Sequence, residues 1–420
     1  MNPTIAKYAA SLSTYFGASL IPMMLNLVAN PWIAKNMDPR DYAISGYYTS
    51  YSSLISPIII FYLIHYYIKE YYRRTPEGRE HLESVIAKAT IWFSGIVTLV
   101  CFILLHLFLT HSRDLDFPVS PYLGLMVFAL PLTGLLNLRL ARFRMEKRAT
   151  AYFRLSVANG LLGVAMMVLC VVWLKWGAFG KLLAPLVSNS CVFLFLLWKY
   201  RRILAIRTTL AEFRPIFIFC LPLALSAMLG YFTHGFSTTY VESIGETREY
   251  GIYVVGVSIG GYLTVFSSAI NNTFQPDIYR TVIARQWRSY ARYCLLQTGL
   301  ITLVTILFIL LAPWVISLLT AGRYVDSTPY AQIYSLTTIT SSIYFLINNF
   351  SIATNRPRLY LWTSIIGSAA IVALMPVFTA RWQYTGGAWM TVCSFIIFAI
   401  INLGLLAVTK NRSETPDLTK

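Results

Sequence analysis

Runs of eighteen or more mainly apolar residues, separated by short polar segments, recur along the whole of this 420-residue chain. By apolar run they fall at 8–34, 43–68, 86–110, 121–139, 152–174, 181–198, 216–241, 251–275, 294–318, 331–350, 360–379 and 387–408. A helix needs roughly 20 apolar residues to cross a bilayer, whereas a barrel strand needs only about 9–11. In hydrocarbon every backbone N–H and C=O must be satisfied internally, so runs of this length predict helices. The pattern therefore predicts an all-α integral membrane protein with twelve transmembrane helices. Pro22, Pro57, Pro131, Pro185, Pro222 and Pro376 fall inside the expected spans. Each removes a helix hydrogen bond and is expected to bend its helix. The run beyond Lys7 is too long for the apolar segment of a secretory signal and is expected to be retained as the first span.

Composition agrees: 57% hydrophobic against 12% charged residues is a balance for lipid rather than water. The formal charge of +17 raises the question of nucleic acid. Its distribution answers against it, because Lys and Arg sit in short clusters between apolar runs and no folded basic domain is present. One set of connections carries Lys69, Arg73, Arg74 and Arg79, then Arg139 to Arg154, then Lys199 to Arg214. It continues with Arg280 to Arg292, with Arg356 and Arg358, and with Lys410, Arg412 and Lys420. The alternate connections are poor in both residues. By the positive-inside rule the rich set and both termini are cytoplasmic, which fits an even number of spans.

The chain also repeats itself. Asp38-Pro39-Arg40-Asp41-Tyr42-Ala43-Ile44 recurs 208 residues later as Glu246-Thr247-Arg248-Glu249-Tyr250-Gly251-Ile252, and Trp176-Gly177-Ala178-Phe179-Gly180 as Tyr384-Thr385-Gly386-Gly387-Ala388. Two six-helix halves of equal orientation predict a parallel repeat enclosing a cleft. The expected division is a lobe at 1–200, a cytoplasmic linker at 201–214, a second lobe at 215–408 and a cytoplasmic tail at 409–420.

These residues resemble the multidrug/oligosaccharidyl-lipid/polysaccharide exporter superfamily, and within it the polysaccharide flippases of the Wzx type. The pattern that carries the likeness is the acidic residue and Tyr-Gly, or here Tyr42-Ala43, after the first outer loop. It is joined by Phe219-Cys220-Leu221-Pro222, Tyr250-Gly251-Ile252-Tyr253 and Gln275-Pro276-Asp277-Ile278-Tyr279. The resemblance implies a flippase that moves a polyprenyl-pyrophosphate-linked oligosaccharide, such as an O-antigen or other surface-polysaccharide repeat unit, across the inner membrane by alternating access. Its expected partners are that lipid-linked oligosaccharide, membrane lipids and other polysaccharide-assembly proteins. The sequence departs from the family where many relatives carry an Asp late in span seven, since Ser237 stands there. The drug-exporting branch usually carries embedded acids for cation coupling, and spans one and seven show no match to them. That absence counts against a cation-coupled multidrug exporter of the same fold, which is the first alternative. A membrane enzyme or polymerase of polysaccharide synthesis is the second, and the short outer loops count against it.

No motif here reads as catalytic. The five His lack metal-ligand spacing and no nucleotide loop is present, so no enzyme, metal or cofactor is expected. The six Cys lie in apolar runs without paired spacing and read as small hydrophobes. What the spans do carry is hydroxyls and amides. These serve equally as helix-to-helix glue or as the lining of a wet cleft for a sugar head group. Tyr62, His65, Lys69 and Tyr72 share one helical stripe. They read either as an interfacial anchor or as a cationic mouth for a pyrophosphate. The cavity candidates are Tyr62, His65, Lys69, His234, Asn271, Asn272, Gln275, Arg280, Asn348 and Asn349. The repeat pairs Lys69 with Asp277, an expected gate between opposite charges, with Asp277 to Arg280 as the local alternative.

The charge alternation fixes a testable topology. Single cysteines introduced at Arg144 and Arg202 should be labelled from the cytoplasm, and those at Asp116 and Val325 from outside. Labelling of positions 144 and 116 from one side would remove the twelve-span arrangement.

Overall fold

The computed structural model describes residues 3–112, 117–353 and 358–413, and among them every regular element is a helix. The first part of the chain gives α1 (Pro3–Lys35), α2 (Pro39–Ile60), α3 (Leu63–Tyr71), α4 (Pro76–Ser112), α5 (Tyr122–Ala129), α6 (Thr133–Met145), α7 (Ala149–Met167) and α8 (Gly177–Leu204). The second gives α9 (Phe213–Leu229), α10 (Tyr231–His234), α11 (Phe236–Val241), α12 (Thr247–Gly261), α13 (Leu263–Ile283), α14 (Trp287–Leu319), α15 (Thr328–Ser335), α16 (Thr337–Ala353) and α17 (Arg358–Ser413). Eight helices among the described residues are long and apolar enough to cross a membrane, or nine if the bent pair α2–α3 is one span. One of them, Leu361–Val408, runs for 48 residues. At 1.5 Å per residue that is about 70 Å, more than twice a ~30 Å hydrocarbon core. It is interrupted at Gln383, whose φ of 46° and ψ of −126° leave the helix. The protein is a multi-pass membrane protein.

Two of the six expected proline bends coincide with breaks. Pro57 has no N–H to give, and α2 stops three residues later at Ile60, where Phe61 and Tyr62 both take positive φ. α3 leaves at 46°. Pro131 lies between α5 and α6, whereas Pro22, Pro185, Pro222 and Pro376 sit inside continuous helices.

Helix bounds repeat as the loop motifs do. The broken pair α5–α6 has its counterpart in α15–α16 at an offset close to 208, and α4 in α14. Lys175 and Gln383, 208 residues apart, both have positive φ. In each half the first-loop motif touches the later one. Asp41 caps α8, its Oδ1 accepting the Ala178 N–H at 2.9 Å, and Tyr384 donates its hydroxyl to the Glu246 carbonyl at 3.2 Å. A carboxylate on the first turn of a helix satisfies an orphan donor and complements the helix dipole.

The chain forms two compact units, one of Met1–Met228 with Leu319–Arg323 and the other of Leu229–Leu318 with Tyr324–Lys420. The division falls inside the run read as the seventh span, and α9 belongs to the first unit. There Phe217 packs on Phe61 and Phe93, at ring distances of 5.5 and 4.7 Å. The core of this unit joins Tyr67, Leu135, Leu138, Tyr200 and Ile216.

Gly177 has φ +49°, and a Cβ there would lie 2.4 Å from Asp41 Oδ1. Gly177→Ala should therefore cost about 1–2 kcal/mol from the left-handed backbone alone, read as a lower melting temperature in detergent. Gly163→Ala, where a Cβ meets nothing within 4 Å, should leave that temperature unchanged or raise it. Equal effects at both positions would refute the account.

Candidate functional site

Breaking α2 from α3 opens a cavity of about 300 Å³ in the first unit. Ser56, Tyr62 and His65 line it from the break, Asn137 and Arg144 from α6, and Tyr152 from α7. Irregular backbone at membrane depth is tolerated only where protein or a cavity covers it. Here the turn is closed by the Phe61 N–H on the Pro57 carbonyl at 3.0 Å and the His65 N–H on the Tyr62 carbonyl at 2.9 Å. The Tyr62 and His65 rings lie 4.8 Å apart. No lining residue is acidic, and Arg144, which is exposed, makes no salt bridge among the described residues. A guanidinium fork, an imidazole, two phenols, an amide and a hydroxyl thus converge. Groups of these kinds can hydrogen-bond phosphate and sugar hydroxyls, and the phenols can offer aromatic faces to sugar rings.

What holds α6 in place is a buried charge network on another of its faces. Glu83 on α4 is 1% exposed, and it pairs with Arg142 and accepts the Tyr200 hydroxyl at 2.6 Å. Arg142 Nε also donates to Glu146 Oε1 at 2.7 Å, and Arg148 reaches Glu146 at 3.4 Å. Burial pulls the Glu146 carboxyl upward, but the hydrogen bonds and charges of Arg142 and Arg148 outweigh it and hold it below its ordinary value. With Arg142 committed inward, Arg144, two residues on, is turned to the cavity.

The Lys69 ammonium does not line this cavity. It lies 4.2 Å from the centre of the Phe219 ring, a cation–π contact within the first unit. Tyr72, at the end of the same stripe, donates to the Met145 carbonyl at 2.8 Å. Asn137, Arg144 and Tyr152 complete the site but were absent from the sequence candidates. In the sequence Arg144 reads as one of a cluster of topology charges.

A model of a family described as polysaccharide biosynthesis protein matches residues 78–329. The chain belongs to that family. No curated protein matches it. Among solved structures, an inward-facing multidrug resistance MATE family transporter of the MOP superfamily aligns with a TM-score of 0.71 at 13% identity, over 95% of this chain and 99% of its own. The lipid II flippase MurJ, in an inward closed conformation, aligns with a TM-score of 0.69 at 13% identity, over 93% and 86%. A MOP superfamily transporter from Pyrococcus furiosus, described as having a binding pocket of reverse polarity, aligns at 0.64 and 14%, over 98% and 96%. At these identities the likeness is one of fold, and the fold is that of MOP-superfamily transporters.

In the second unit of this polysaccharide biosynthesis family member, the amide candidates are tied to one another. Buried Asn271 accepts from Gln297 Nε2 at 2.8 Å and from Ser342 at 3.0 Å, and Gln275 donates to Asn349 Oδ1 at 3.3 Å. Asn348 is half-buried, and Oδ1 of its side chain has no hydrogen-bond donor among the described residues. Ser237, at the position of the family's Asp, lies 2.9 Å from Thr391 Oγ1. Asp277 is half-buried on α13. The side chains of His234, Asn272 and Arg280 lie outside the described residues. Among the described residues no group of three His, Cys, Asp or Glu is placed to hold a metal ion.

The α4–α6–α8 network makes a clear prediction. Glu83→Leu leaves Arg142 buried without its deepest partner and should cost about 3–5 kcal/mol, seen as a large fall in detergent melting temperature. The double variant Glu83→Leu with Arg142→Leu should recover much of the loss. A double variant no better than the single would show that packing, not charge, is at stake.

Proposed function

We propose that this protein flips a polyprenyl-pyrophosphate-linked oligosaccharide from the cytoplasmic to the outer leaflet of the inner membrane. It would do so by alternating access of two pseudo-repeated six-helix halves, with both termini cytoplasmic. The observation that carries the reading is the acid-free cavity at the α2–α3 break, lined by Tyr62, His65 and Arg144, the last of which makes no salt bridge among the described residues. An anionic pyrophosphate leaving water loses its hydration. A fixed guanidinium with neighbouring hydrogen-bond donors offsets that loss, and phenol, amide and hydroxyl groups serve the attached sugars. Membership of a polysaccharide biosynthesis family on a transporter fold supports the substrate class. A cationic drug would meet no counter-charge in this cavity. The lipid tail would stay in the bilayer while the head crosses.

Deleting the gene should cause a lipid-linked glycan to accumulate on the inner leaflet. Increased sensitivity to cationic drugs without such accumulation would instead favour an exporter. Within the protein, Arg144→Gln should slow flipping about 10- to 100-fold, the loss of one charge-assisted contact, at unchanged protein level. Arg144→Lys should retain part of the rate, because the charge survives while the planar fork is lost. Wild-type flipping by Arg144→Gln would remove this cavity from the transport path.

A further inference from the structure

We infer that the turn between α6 and α7, together with the end of α8, forms a binding site for the phosphate of an anionic phospholipid, separate from the cavity at the helix break. A second cavity of about 700 Å³ lies there, sharing no lining residue with the first. Arg139, Lys147, Arg148, Arg154 and Lys199 line it. Only Arg148 reaches a carboxylate among the described residues, that of Glu146, which Arg142 already engages. The backbone adds to the positive charge. The first turn of α7 also lines the cavity, its N-cap is Arg148 with no side-chain cap, and the turn contains no acidic residue. Helix starts ordinarily favour anions, because their free N–H groups carry partial positive charge. Five cations around such a start repel one another, an effect that solvent moderates because all but Arg139 are exposed, and an anion in the space would relieve it; a phosphate with its several acceptor oxygens fits both the side chains and the N–H groups.

The neighbouring surface decides for a lipid over a soluble phosphate. Leu161 on α7 and Leu194, Phe195 and Trp198 on α8 are each at least half exposed, and in a membrane helix such residues face acyl chains. Phe195 itself lines the cavity, with Lys199 Nζ 5.8 Å from its ring centre. Basic pockets between membrane helices bind anionic head groups in this manner. The lining decides against the glycan. Apart from its cations it offers one side-chain hydroxyl, Thr150, and none of the amides or phenols that sugar binding needs.

The test is native mass spectrometry of the purified full chain in detergent, titrated with phosphatidylglycerol or with phosphatidylcholine. The wild type should retain phosphatidylglycerol in preference. Each of Arg148→Gln, Arg154→Gln and Lys199→Gln should weaken that binding about fivefold. Arg154→Lys should keep it, and Arg73→Gln, outside the cavity, should leave it unchanged. Lys199→Gln, a single change, provides the reading if the Arg148 variant proves unstable. Equal retention of both lipids, or undiminished phosphatidylglycerol binding in the three Gln variants, would overturn the inference. So would displacement of the phospholipid by a polyprenyl diphosphate with the same sensitivity to these variants, since the site would then belong to the substrate. Flipping activity plays no part in the readout, so the inference stands or falls apart from the proposed function.

Discussion

Hydrocarbon offers a backbone N–H nothing to bond to, and that single constraint organises this chain. It forces the long apolar runs into helices and makes every interruption of a helix an event that must be covered. Two interruptions are placed alike in both halves, between α5 and α6 and between α15 and α16, and at Lys175 and Gln383, whereas the breaks that separate α9, α10 and α11 have no counterpart in the continuous α1. Lys175 and Gln383 precede the later of the two loop motifs in each half. There the incoming chain meets the earlier motif, through Asp41 in one half and the Glu246 carbonyl in the other. The repeated loop residues are thus explained by local structure, as the means of satisfying backbone and side-chain groups where a helix restarts.

The same scarcity of water governs the charges. Glu83 and Arg142 are tolerated because each satisfies the other and Tyr200 and Glu146 take up the remaining hydrogen-bonding capacity. Such a network is expensive to break and holds α4, α6 and α8 in one register. Arg144 and Arg139 lie on the same helix, yet neither makes a salt bridge among the described residues, and each faces a different cavity. One helix therefore sorts its arginines: Arg142 is tied into the carboxylate network, Arg139 packs over the Phe143 ring at the edge of one cavity, and Arg144 lines the other.

Much of this was legible in the chain. Apolar run length gives the all-helical character, although eight or nine helices among the described residues, against the twelve expected, are long and apolar enough to span, and the 208-residue offset of two short loop motifs extends to some helix bounds and backbone angles. The spacing of Tyr62, His65, Lys69 and Tyr72 reads as one helical stripe, but the helix is broken just there: Tyr62 stands before α3 with positive φ, and of the four only Tyr62 and His65 line the cavity. Less visible was the difference among the arginines. A cluster such as Arg139 to Arg154 reads uniformly as a topology signal, because only packing tells which member finds a carboxylate. Glu83 escaped notice for a related reason: it stands just ahead of an apolar run, where hydropathy assigns a single acid to the loop. The amides of α13 and α16 posed the converse difficulty. Their spacing shows polar residues on helices, but the partner that donates to Asn271, Gln297, lies on α14, and Gln275 finds Asn349 on α16; sequence does not reveal which helices will face each other.

The two halves share a scaffold but divide its chemistry. Around α6 the first unit gathers Arg139, Arg142, Arg144, Lys147 and Arg148, and around the equivalent α16 the second presents the neutral side chains of Ser342, Asn348, Asn349 and Ser351. Amide and hydroxyl pairs such as Gln275 with Asn349 and Ser351 with Asn402 bond helices to one another without carrying charge. Neutral hydrogen bonds between membrane helices are worth little individually, about 0.6 kcal/mol on average, so a network of them can form and separate at small cost. Buried ion pairs cannot, because each separated charge must be resolvated. On the proposed reading this difference suits alternating access. A stiff, charge-locked half would hold the anionic head group, while a half joined by weak neutral bonds could repack as the substrate crosses.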